Sequence, residues 1–184
     1  MVCMRSARTI LAITRVHLVA AIAAFVLSSL VTAPVRAGQA EFDYLTSYIG
    51  DWSGAGVVKG GDTPESFRCR LTIAKGKLSK INYSGRCTLV NMNLSVAGTI
   101  AYDDAAQHYQ AAMTSNAGFT GYAVGSRQGN EIVFDLAEQQ TDRGGNSVQI
   151  GSRIHLIGDT ITVDFQMEFN NSGKILTAAV PFSR

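Results

Sequence analysis

A chain of 184 residues with 16 Lys and Arg against 14 Asp and Glu has a formal charge of only +2. That balance excludes the strongly basic character of a nucleic-acid-binding protein. Apolar residues make up 46% of the chain, enough for a sizeable core in one domain.

The first 37 residues read as a targeting segment. Arg5, Arg8 and Arg15 precede the uncharged run "LVAAIAAFVLSSLVTA" (18–33), and "VRA" (35–37) sets modest side chains before a cut after Ala37. This is the layout of a secretory signal peptide; an uncleaved anchor helix is the alternative. Cys3 lies upstream of the apolar run, so it is not placed for lipid attachment at the cut. Four bases (Arg5, Arg8, Arg15 and Arg36) leave with the leader, so the mature chain, 38–184, has a net charge of about −2. The expected location is the periplasm or the cell exterior.

After the leader, "AEFDYLTSYI" (40–49) spaces Phe42, Leu45 and Tyr48/Ile49 by three or four residues, which predicts a short helix. Everything beyond it alternates with period two. Phe67, Cys69, Leu71 and Ile73 oppose Arg68, Arg70 and Thr72 in parity. Ile161, Val163, Phe165, Met167 and Phe169 oppose Thr160, Thr162, Asp164, Gln166 and Glu168 in the same way. One wet face per strand is the pattern of antiparallel sheet over a core. The expected strands are 51–60, 65–74, 79–90, 94–103, 107–115, 119–126, 130–138, 147–157, 160–169 and 174–182. Short, similar connections favour a meander of hairpins. A meander of about ten strands leaves bare edges unless it closes, so the expected fold is all-β: a single antiparallel up-and-down barrel. A two-sheet sandwich is the alternative.

The only tryptophan, Trp52, begins the first strand in "YIGDWSGAG" (48–56), with Gly54 and Gly56 following on its face. A large ring over small residues at the barrel mouth is suited to plug that end. Cys69 and Cys87 share the apolar parity of two successive strands, and their midpoint, residue 78, falls in the turn "KGKLSK" (75–80). Directly opposed cysteines in an exported chain point to a disulfide. Metal ligation or a redox role would need a CxxC motif or an inward histidine.

From Ser66 to Tyr102 the chain has no acid but six bases: Arg68, Arg70, Lys75, Lys77, Lys80 and Arg86. They form a basic hairpin face for an anionic membrane surface or an acidic partner, or an ordinary solvated surface. Catalysis lacks a basis. The carboxylates of the regular strands fall on the wet parity, and neither a Gly-x-Ser-x-Gly motif nor a phosphate loop is present.

The run Gly50, Trp52, Gly54, Gly56, preceded by a helical turn, resembles the opening of lipocalin-type (calycin) barrels. In layout it is similar to the nitrobindin-like ten-stranded variant, as is the final pair "IHLIGDTITVDFQME" and "ILTAAVPFSR". The resemblance implies an interior cavity and, in nitrobindins, a haem held by a histidine on the last strand. Here that strand reads Ile175-Leu176-Thr177-Ala178-Ala179-Val180, and the mature chain has only His108 and His155. No cofactor or metal is therefore expected.

The leading expectation is an exported, non-catalytic carrier or sensor for a small, largely apolar ligand. Its contact residues would be Trp52, Tyr83, Tyr102, Tyr109, Met113, Phe134, Phe165 and Met167, with Phe67, Leu71 and Ile73 completing the lining. The alternative is a packed barrel acting through its basic hairpin as an envelope-associated or inhibitor-like module. An enzyme ranks third.

Overall fold

The computed structural model describes residues 37–184 apart from 91, 142 and 143; the expected leader, but for its last residue, lies outside the described residues. Helix α1 (Ala37–Thr46) leads into β1 (Gly50–Val58), β2 (Glu65–Lys75), β3 (Lys80–Thr88), β4 (Asn93–Asp103) and β5 (His108–Ser115). There follow β6 (Thr120–Gln128), β7 (Glu131–Thr141), β8 (Ser147–Ile157), β9 (Thr160–Phe169) and β10 (Lys174–Ser183). Each strand pairs antiparallel with the next, and β1 pairs with β10, so the ten strands form a closed up-and-down barrel rather than a sandwich.

Elements differ from expectation only at their ends. The helix starts three residues earlier, at Ala37. Strand β1 stops at Val58 because the chain leaves the ladder at Gly60, whose φ of 89° suits glycine. Strand β7 continues to Thr141, since Gln139, Gln140 and Thr141 still find partners in Gln149, Val148 and Ser147.

Closure is the weakest part of the wall. Along β1 and β10 only Ser53↔Ser183 and Gly54↔Phe182 are in register, with an isolated bridge from Lys59 to Thr177. Pro181 sits in this stretch of β10 and has no N–H to donate. Gly54 compensates by close approach: a methyl group there would lie 2.7 Å from the Pro181 carbonyl oxygen.

The core is concentrated at the end covered by α1. Phe42, Leu45 and Tyr48 drop from the helical segment onto Trp52, Ile81, Tyr109, Ile132, Phe134 and Leu156, and all are buried. Trp52 plugs this end as its position suggested. Its Nε1–H donates to the Tyr48 carbonyl at 2.9 Å, Tyr48 stacks on it at 6.2 Å, and the Arg184 guanidinium lies 4.4 Å from its ring centre. The helical segment is locked from outside as well. Glu41 accepts from the Tyr109 hydroxyl and pairs with Arg127 at 2.8 Å, while Arg127 covers the Tyr44 ring at 4.0 Å.

Candidate functional site

The eight residues expected to contact a ligand fall into two groups along the barrel. Trp52, Tyr109 and Phe134 belong to the sealed end, at 2%, 0% and 1% exposure, with Tyr102 packed edge-on to Tyr109 at 5.0 Å. Tyr83, Met113, Phe165 and Met167 face inward beyond that plug and are only partly buried, as are Leu71, Leu136 and Val163 beside them. Inner-face side chains that remain accessible border unfilled space.

Strand register sets small residues beside these side chains. Met113 has glycine opposite it on both neighbouring strands, Gly98 on β4, covered by the Tyr83 ring, and Gly121 on β6, covered by Leu136. Phe165 stands between Ser152 on β8 and Ala178 on β10. A space of about 680 Å³ over this part of the wall is an open groove on the outer surface, lined mostly by outward-facing residues such as Val57, Asp135, Arg153, Asp164 and Gln166.

Polar groups inside this half are few. The Tyr83 hydroxyl donates to the Ala112 carbonyl at 3.3 Å, and burial pushes its pKa up to about 12, so it stays a neutral donor. The Ser152 hydroxyl donates to the Asp164 carbonyl at 3.0 Å. At the sealed end burial, and then the hydrogen bond to Glu41, raise the Tyr109 pKa. For Glu41 itself burial opposes ionisation, but the hydrogen bonds from Tyr109 and Arg127 outweigh it and leave its pKa below the usual value of 4.5.

One expectation fails here. The strand carboxylates do not all face outward: Glu138 pairs with the buried Ile150 and shares the inner face with Leu136 and Gln140. The reason is that β7 outlasts its apolar run, so the inward parity carries on into polar residues at the wetter end. Glu65 shares the inward parity of Phe67 at the start of β2, and its Oε1 accepts the Val90 N–H at 2.6 Å. The parity of Leu136 was the available signal for Glu138.

Neither histidine faces inward. His155 pairs with Glu131 on the outer surface at 2.6 Å, and His108 lies on the outward parity of β5, near Gln110 at 3.2 Å. The interior donor set, thioethers and phenols, does not fit a histidine-ligated haem. Among the described residues no group of three or more His, Cys, Asp or Glu is placed to hold a metal ion.

Cys69 and Cys87 are directly opposed and disulfide-bonded, with Cα atoms 4.0 Å apart. The same hairpin divides the basic residues. Lys75, Lys77 and Lys80 gather at its tip, where Lys75 Nζ lies 5.8 Å from the Phe42 ring centre. Arg68, Arg70 and Arg86 stand exposed on the outer wall.

A closed ten-stranded antiparallel barrel with a short helix before its first strand is a calycin-like fold. Among solved structures the chain is similar to Rv2717c from M. tuberculosis, at 17% identity and a TM-score of 0.61, over 78% of this chain and 96% of that one. It is also similar to the S-type phycobiliprotein lyase CPES from Guillardia theta, at 13% identity and a TM-score of 0.52, over 81% and 93% of the two chains. These likenesses concern the fold. No family model matches the sequence, and no curated protein does.

Proposed function

We propose that this protein is an exported, non-catalytic carrier or sensor that holds a small, largely apolar ligand inside the half of the barrel away from α1. One observation carries the reading: on the inner face of that half Tyr83, Met113, Phe165 and Met167 stay partly accessible among the buried Phe67, Val148 and Ile150, whereas Trp52, Tyr109 and Phe134 at the helix end are sealed. Apolar walls with a few fixed polar groups are the usual make-up of a small-molecule site. The Tyr83 hydroxyl and, at the rim, the Glu138 carboxylate supply those groups. Kinship of fold with a protein named as a phycobiliprotein lyase agrees with small-molecule binding.

Export rests on the leader-like residues 1–37, and the Cys69–Cys87 disulfide suits an oxidising compartment such as the periplasm or the cell exterior. The test is to express the chain with its own leader in a bacterium, purify it from the periplasm, and record native and then denaturing mass spectra. A discrete mass lost on denaturation is the expected result. A bare protein that also takes up no Nile red would refute the reading.

A further inference from the structure

The register that joins Cys69 to Cys87 also sets Arg70 directly opposite Arg86 on the outer wall. Both are exposed, and neither has an ion pair or side-chain hydrogen bond with a described residue. Like charges directly opposed across an antiparallel ladder work against the fold. Among the described residues no carboxylate forms an ion pair with either. Arg70 has Ser53 as its other neighbour, and Arg86 has Ser95. The nearest acid in register, Asp51, stands opposite Thr72 and accepts its hydroxyl at 2.7 Å.

The two arginines border an open groove of about 520 Å³ whose other lining includes Thr72, Ser84, Ser95 and Thr114. Guanidinium groups offer paired N–H donors matched to the oxygens of a phosphate, and the hydroxyls of Ser84 and Ser95 add single donors, those of Thr72 and Thr114 being given to Asp51 and the Ala97 carbonyl. We infer that this groove binds a phosphate-type oxyanion between Arg70 and Arg86, on the face of the wall opposite to the interior site. Its bearer is either a soluble phosphate compound or the headgroup of an anionic lipid. An anion there would turn the repulsion between the two guanidiniums into a shared attraction.

The test titrates isotope-labelled protein with sodium phosphate at constant ionic strength, following the Arg Nε–H resonances by NMR. Sedimentation with vesicles of phosphatidylcholine alone, or mixed with phosphatidylglycerol, runs in parallel. Saturable phosphate shifts at Arg70 and Arg86 are expected. Affinity should fall about tenfold or more in R70Q/R86Q, as loss of charge-assisted hydrogen bonds requires. The charge-matched variant K59Q/K174Q, altered outside the groove, should bind like the wild type. Phosphatidylglycerol-dependent sedimentation that phosphate competes away identifies a lipid headgroup; phosphate binding without sedimentation identifies a soluble bearer. In phosphate-free buffer R70Q/R86Q should melt no lower than the wild type, and it should lose the phosphate-induced rise in melting temperature. Absence of saturable shifts in the wild type, or equal losses in R70Q/R86Q and K59Q/K174Q, would overturn the inference.

Discussion

Tyr83 and Gly98 face each other across β3 and β4, and the tyrosine ring occupies the space a side chain at Gly98 would need. Phe67 lies over Gly56 and Phe134 over Gly125 in the same way, each pair directly opposed in register. Aromatic rings laid across cross-strand glycines cover the bare backbone and lie along the wall instead of projecting to the barrel axis.

Gly98→Ala is therefore expected to be costly. Its methyl group would lie 2.1 Å from the Ala112 carbonyl oxygen and 2.5 Å from the Tyr83 hydroxyl, and the first of these is backbone that cannot swing away. A loss of at least about 2 kcal/mol is expected in urea unfolding. Gly151→Ala is the control, since nothing lies nearer than 4.0 Å to its new methyl group; it should be neutral or gain up to about 1 kcal/mol.

Glu41 should make the barrel acid-sensitive at its helix end. Its pKa is lower folded than unfolded, so its contribution is complete above the ordinary value of 4.5 and fades as pH falls through the folded value. Glu41→Gln should lower stability by about 1–2 kcal/mol at neutral pH. The difference from the wild type, followed by thermal melting from pH 7 downward, should shrink below about pH 4.5. A difference that persists unchanged at pH 3 would mean that the ionised carboxylate is not the source.

The Cys69–Cys87 bond closes a loop with a sequence separation of 18. Replacing both cysteines by serine should cost roughly 3 kcal/mol in urea unfolding, and reductant should bring the wild type towards the variant. Intact protein purified from an oxidising compartment should be lighter than the reduced chain by the two thiol hydrogens.

Binding of an apolar probe should distinguish the two ends of the barrel. Met167→Trp fills the accessible half and is expected to weaken Nile red binding about fivefold or more, by loss of roughly 1 kcal/mol of contact. Tyr102→Phe, at the sealed end, should leave it unchanged. Because the Tyr83 pKa is pushed up to about 12, its phenol should not alter binding between pH 6 and 10.

Strand number, strand limits, the facing of most side chains and the cysteine pair were legible in the linear sequence, because each follows from period-two alternation and hairpin arithmetic. Trp52 beside its glycines marked the plugged end for a similarly local reason. Tertiary structure alone decided depth along the barrel. Parity tells Phe134 and Phe165 apart from their outward neighbours, but it cannot say that α1 seals the first while the second borders open space. The contact of Glu41 with Tyr109 and Arg127 joins residues 68 and 86 positions apart, and no short-range pattern announces it. Glu138 was within reach of sequence reasoning, since it shares the inward parity of Leu136, and its pairing with Ile150 on β8 carries that parity past the apolar run. Alternation records which face a residue takes; closure, stagger and the docked helix determine what that face meets.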